Sequence, residues 1–177
     1  MESTKIRTEQ TIIDEARKFM EPAASIREDA PIRIPQQRII LAETGLKYEI
    51  ARIANRRSLE EFCQRLNEAE CFEKFSIIAV DAQCRPIGVY SIQGSLSEVS
   101  AYPRVVTTFA LLSNAHSVFF CHNHPGGTCA PSAEDIASTI QLQKILSALG
   151  IHVLDHMITT PDGAAYSMAQ HGDIEFR

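Results

Sequence analysis

A short apolar run, Ser117-Val118-Phe119-Phe120-Cys121, leads straight into His122-Asn123-His124-Pro125-Gly126-Gly127. Side chains of a strand alternate between its two faces, so a strand that is apolar throughout has to be covered on both. This segment therefore asks for a sheet with packed layers above and below it. The next segment of chain supplies one layer. Residues from about Ser132 to Leu149 read as a helix with Leu142, Ile145, Leu146 and Leu149 on one face, Ile136 and Ile140 nearly opposite, and Gly150 as its C′ residue. Ile151 to Thr159 is a long final strand, turned at Pro161-Asp162-Gly163.

Upstream, Arg38-Ile39-Ile40-Leu41-Ala42-Glu43 reads as a strand, while Leu46 to Ile53 fits period two and period 3.6 equally. Ser58-Leu59-Glu60-Glu61 matches a capping box, and Leu59, Phe62, Cys63 and Leu66 follow at i, i+3, i+4 and i+7, so a helix is expected from there to about Glu70. Phe75 to Val80 and Gly88 to Ile92 form an expected hairpin around Asp81, Gln83, Arg85 and Pro86, with Gly94 closing the second strand. Val105, Phe109 and Leu112 mark another helix ending near Asn114. Strands and helices alternate, which predicts a three-layer α/β/α domain over residues 36–171 with a tail at 172–177. Residues 1–35 are read as an N-terminal arm, with a helix-like patch at Ile12, Ile13, Ala16 and Met20, that packs on the domain, exchanges between subunits or is partly mobile.

Composition narrows the function classes. In 177 residues, 45% hydrophobic content is enough for a real core, and 17 Lys and Arg against 22 Asp and Glu give a net charge of -5. Without a basic block, nucleic acid is not an expected partner, because sequence-independent affinity comes from cations that neutralise phosphates. No stretch approaches the roughly 18 to 20 apolar residues that span a bilayer, and the start lacks the apolar stretch of a signal peptide, so a soluble cytoplasmic protein is expected. Five irregularly spaced cysteines argue against a disulfide framework.

The chemistry concentrates at residues 122 to 135. His122 and His124 at i and i+2 point the same way in extended chain, as two ligands of one ion must. Asp135 follows at a helix mouth, after a loop whose Pro125, Gly126, Gly127 and Pro131 let it fold back. Two His and one carboxylate are a three-ligand zinc set that leaves the fourth position to water. Ser132-Ala133-Glu134-Asp135 equally fits a helix capping box, and the two roles are compatible. Cys121 and His122, adjacent on a strand, face opposite ways and do not share an ion, and Cys129 is a weak candidate from the loop. His156 reads as a packed histidine or one bonded behind a ligand; His116, His152 and His171 read as structural or exposed. There is no His-x-Glu with Pro-Cys-x-x-Cys and no phosphate-cradling glycine loop, and the contiguous His-Asn-His is not the dispersed motif of the nucleases known by those letters.

His122-x-His124-Pro125 followed by Ser132-x-x-Asp135, with an upstream Glu, resembles the JAMM (MPN+) metallopeptidase motif, and His-Asn-His-Pro with Pro131-Ser132 is similar to its RadC-like bacterial branch. Gly94-Ser95-Leu96-Ser97-Glu98, Tyr102-Pro103-Arg104 and Leu154-Asp155-His156 extend the likeness over roughly residues 36 to 170. Asn123, Gly126 and Tyr102 depart from residues common in related branches, and none of them is a ligand position. The resemblance implies a JAB/MPN domain, similar in architecture to cytidine deaminases, with a mixed central sheet. It implies Zn²⁺ held by His122, His124 and Asp135, Glu98 as proton acceptor and donor, and Ser132 as an oxyanion donor. The expected activity is cleavage of a peptide or isopeptide bond in a peptide or protein substrate, ubiquitin-like conjugates included, and a homodimer is an allowed assembly. A non-catalytic interaction module and a DNA-repair-associated role are the alternatives that the resemblance carries.

Overall fold

The computed structural model describes residues 52–68, 70–93 and 102–175. The expected arm, the strand at 38–43, most of the ambiguous piece before Ile53, Gly94 and Glu98 lie outside them. In chain order the elements are α1 (Arg56–Asn67), β1 (Lys74–Val80), β2 (Pro86–Gln93), α2 (Tyr102–Leu112), β3 (Ser117–Asn123), α3 (Ala133–Ser147), β4 (His152–Thr159), β5 (Ala165–Ser167) and α4 (Met168–His171). The strands form one mixed sheet in the order β2-β1-β3-β4-β5. The β1–β2, β1–β3 and β4–β5 pairs are antiparallel and β3–β4 is parallel, the pair that needs a crossover, here α3.

The apolar run at β3 does what its composition demands. Val118 and Phe120, with Phe75, Ile77, Ala79 and Val153, pack on one side against Val106, Phe109 and Ala110 of α2 and Leu142 and Leu146 of α3. Phe119 and Cys121, with Ile78, Val80 and Met157, pack on the other against Leu59, Phe62, Cys63 and Leu66 of α1. The described domain is thus a three-layer α/β/α arrangement, α1 on one face and α2 with α3 on the other.

Several boundaries differ from the sequence expectation. Asn55, one turn ahead of Ser58, caps α1: the Ser58 amide donates to Asn55 Oδ1 at 3.0 Å and the Asn55 amide to Ser58 Oγ at 3.1 Å. Asn-x-x-Ser does here what Ser-x-x-Glu was expected to do. The helix stops at Asn67, where the Asn67 side-chain amide donates to Thr159 Oγ1 at 2.8 Å and the buried Lys74 ammonium takes the Leu66 carbonyl while pairing with Glu70 at 2.7 Å. On α2 the buried positions are Val106, Phe109 and Ala110, with Leu112 exposed, and Asn114 adopts the left-handed conformation beyond the helix end. On α3 the buried line is Asp135, Thr139, Leu142 and Leu146; Ile145 is half-buried and Leu149 exposed. Ile136 and Ile140 pack with Ile158, Met168 and Ile174, so α3 is covered on two sides, and the expected tail contributes Ile174 to a core. The Gly150 amide donates to the Ser147 carbonyl and the Ile151 amide to the Leu146 carbonyl, a Schellman closure with Gly150 at φ 74°. The three-residue β5 is too short for its alternation to show in sequence.

Leu146 is fully buried where α3 meets β1, β3 and α2. Leu146→Ala is expected to cost about 2–5 kcal/mol by lost transfer energy and a residual cavity, read as a lower urea midpoint with an unchanged slope.

Candidate metal centre

His122 sits on β3 opposite Ile158, in the same sheet face as Phe120, whose partner on β4 is His156. The His124 amide donates to the Thr159 carbonyl at 2.8 Å, carrying the β3–β4 ladder past the end of β3. Both imidazoles therefore fall on the α3 side, two residues apart. The loop after them returns the chain to Ser132, the N-cap of α3, and Asp135 enters on the first turn.

The ring nitrogens converge there. His122 Nε2 and His124 Nε2 are 2.8 Å apart, Asp135 Oδ1 lies 3.4 Å from His122 Nε2, and Asp135 Oδ2 lies 3.6 Å from His124 Nε2. The capping alternative is realised alongside. Ser132 Oγ donates to Asp135 Oδ2 at 2.6 Å, the Ser132 amide donates to the same oxygen at 2.8 Å, and the Asp135 amide donates to Ser132 Oγ at 3.1 Å. The box aims the carboxylate at the imidazoles, and the Ser132 hydroxyl proton is held by Asp135. Behind His122, its Nδ1 lies 2.8 Å from His156 Nε2, and His156 Nδ1 lies 2.7 Å from Thr139 Oγ1 on α3. His124 Nδ1 meets the Thr128 carbonyl at 2.6 Å. A carbonyl only accepts, so His124 Nδ1 carries the hydrogen and its Nε2, in the neutral ring, is a bare lone pair turned into the site.

Charge follows from these contacts. Burial opposes ionisation of Asp135, but the close imidazoles of His122 and His124 and the Ser132 donors outweigh it and hold the carboxyl far below its usual range. Asp135 raises the pKa of His124 above its ordinary value, against the opposing effect of burial. His156, fully buried and flanked edge-on by Phe75 and Phe120 at 5.8 and 5.7 Å, is held neutral: burial first, then the neighbouring His122, push its pKa well down.

One further carboxylate joins the cluster. Ligand atoms of Glu73, His122, His124 and Asp135 all lie within 4.8 Å of one another. Glu73 precedes β1, and Asn123 grips the backbone on both sides of it: the Lys74 amide donates to Asn123 Oδ1 at 2.8 Å and Asn123 Nδ2 donates to the Phe72 carbonyl at 2.9 Å. Sequence reasoning passed over Glu73, because only the pairing of Phe75 with His122 brings the residues before β1 to the end of β3. Glu98 lies outside the described residues. Cys121 faces α1, Cys129 belongs to no metal-capable group among the described residues, and His116, His152 and His171 lie apart from the site, His171 stacked on Tyr166 at 3.9 Å. Two imidazoles facing each other beside a buried carboxylate are a donor set that a divalent transition metal such as zinc fits.

Residues 53–173 match the family profile described as RadC-like JAB domain. A UPF0758 protein of Pseudomonas entomophila (strain L48) is 32% identical over 148 residues, covering 80% of this chain and 65% of its own length. UPF0758 proteins of Variovorax paradoxus (strain S110) and Cellvibrio japonicus (strain Ueda107) are each 41% identical, over 102 and 101 residues, covering 57% and 56% of this chain. The chain spans 45% of the length of each of these two. Among the described residues no helix is long and apolar enough to cross a membrane.

The raised pKa of His124 sets a pH dependence for the metal-free protein. A histidine whose folded pKa exceeds its ordinary 6.5 stabilises fully below that value and loses the contribution as pH rises through the folded pKa. Urea midpoints of chelator-treated protein are expected to fall as pH is raised from 6.5, and His124→Gln is expected to remove that fall.

Proposed function

Because the chain belongs to the RadC-like JAB domain family, we propose that it is a zinc-dependent hydrolase cutting a peptide or isopeptide bond, with His122, His124 and Asp135 as metal ligands. The observation that carries this reading is the convergence, within 4.8 Å, of two imidazoles and two carboxylates at the mouth of α3. Three protein ligands leave a position open, as catalytic rather than structural zinc requires. Bound zinc supplies Lewis acidity, which makes water a competent nucleophile near neutral pH.

The chain's own residues do the rest. Asp135 is kept anionic chiefly by the His122 and His124 imidazoles, and the Ser132 cap orients it. Glu73, half-buried beside the ligands and fixed through the backbone that Asn123 holds, takes a proton from the attacking water and returns it to the leaving amine. That assigns to Glu73 the role that the sequence likeness gives to Glu98, and the two are separable by substitution. Ser132 is exposed at the rim, where its hydroxyl faces an incoming carbonyl once its proton is released from Asp135. The proposed substrate is a peptide or protein, ubiquitin-like conjugates included.

Metal analysis tests the centre. Purified protein supplied with zinc is expected to hold about one ion per chain, from the one three-ligand set among the described residues, with the metal lost in His124→Ala and kept in Cys129→Ser. A wild type that holds none would end the hydrolase reading. On a panel of fluorogenic peptide and isopeptide conjugates, Glu73→Gln is expected to keep the metal and lower turnover by at least about 100-fold, the scale of lost general acid–base catalysis. Loss of turnover in Glu98→Gln, with Glu73→Gln active, would return the proton-transfer role to Glu98.

A further inference from the structure

Thr139 and His156 touch none of the reacting atoms, yet a continuous hydrogen-bonded line runs from α3 through both to His122. Thr139 Oγ1 lies 2.6 Å from the Asp135 carbonyl, one turn back on its own helix, and 2.7 Å from His156 Nδ1; His156 Nε2 lies 2.8 Å from His122 Nδ1. The direction of every bond in this line follows from its far end. A carbonyl cannot donate, so the single Thr139 hydroxyl proton goes to Asp135. Thr139 Oγ1 is then left to accept, which puts the ring proton of His156 on Nδ1. His156 is neutral and enclosed by Phe75 and Phe120 with no exposed surface, so its Nε2 is a lone pair. That lone pair accepts from His122, whose proton is thereby placed on Nδ1. In its neutral ring, His122 is then left with an unprotonated Nε2, turned toward His124 and Asp135.

The geometry points to Thr139 and His156 as positioning residues that lock His122 in the tautomer with Nδ1 protonated and Nε2 bare, and so set the affinity of the site for its metal. The proposal rests on the reading of the site as a metal centre and adds what makes His122 a ligand rather than a donor. In the other tautomer the proton would occupy the place of the ion. His124 reaches the same state by a simpler route, through the Thr128 carbonyl, because it lies on an accessible loop where a main-chain acceptor is at hand. His122, inside the sheet, meets His156 instead, and the Nε2 of His156 can accept only in the tautomer whose proton sits on Nδ1, which an acceptor beside that nitrogen favours. Thr139 is that acceptor. The line also explains a feature of α3 that packing alone does not, since its buried stripe runs Asp135, Thr139, Leu142, Leu146 and so begins with two polar residues.

Thr139→Val keeps the volume and removes the acceptor, while Thr139→Ser restores it. Two readouts are taken: zinc affinity by competition with a chromophoric chelator, and the ring ¹⁵N shifts of His122 in metal-free protein, which report its tautomer directly. Wild type and Thr139→Ser are expected to show protonated Nδ1 and bare Nε2. Thr139→Val is expected to populate protonated Nε2 and to bind zinc about 10- to 100-fold more weakly, the range found for partners that orient metal-bound histidines. His156→Leu, apolar in an apolar cage, is expected to move both readouts the same way and serves if the valine variant does not fold. Unchanged affinity and tautomer in folded Thr139→Val or His156→Leu would overturn the proposal. If wild type binds no zinc, the metal reading fails on its own account, and the ¹⁵N shifts of the wild type still decide the lock: protonated Nδ1 upholds it and protonated Nε2 overturns it.

Discussion

The parallel pairing of β3 with β4 is the constraint on which the rest of the domain depends. Parallel neighbours have to be joined by a crossover that leaves one strand end, traverses a face and returns to the other strand's start. Here the crossover is α3, and its N-terminus necessarily begins near the end of β3, where His122 and His124 emerge. The same pairing brings His156 beside the His122 ring and joins the His124 backbone to Thr159. Donor side chains from a strand, a loop and a helix thus meet because one hydrogen-bond ladder fixes the relative position of all three.

Around that ladder the packing is two-sided and uneven. The face toward α1 is closed mainly by apolar contact, with Cys63, Cys121 and Met157 fully buried and the Asn67 side-chain amide bonded to Thr159 and Cys121 at its edge. The face toward α3 is apolar at Leu142 and Leu146 but polar at its upper end, where His122, His156, Asp135 and Thr139 are all buried. Burying that many polar groups is tolerated only when each has a partner, since an unpaired one costs of order 1–3 kcal/mol. Each of the four has one, and the partners are mutual. The polar end of the interface therefore has little freedom to rearrange, and its donor atoms are held in place by the fold itself.

Much of this was legible in the chain. The apolar run at 117–121 announced a doubly covered strand, the i, i+3, i+4, i+7 pattern marked α1, and the spacing of His122, His124, Ser132 and Asp135 marked the cluster, because these signals are local and periodic. Cap positions shifted by a turn where two adjacent motifs competed, as with Asn55 against Ser58. On α3 the expected apolar face was rotated, because a helix packed on two sides has no single apolar stripe and its most buried line includes polar residues.

By itself the sequence determined the layer architecture, the helix carrying Asp135 and the pair of histidines that share a side, since each rests on periodicity or on neighbours a few residues apart. Only the tertiary structure decided that Glu73 stands beside them, 49 positions before His122, and that His156 and Thr139 stand behind. Those contacts depend on strand order and register, in which a shift of one residue would turn every side chain to the opposite face, and no local pattern records which strand lies next to which.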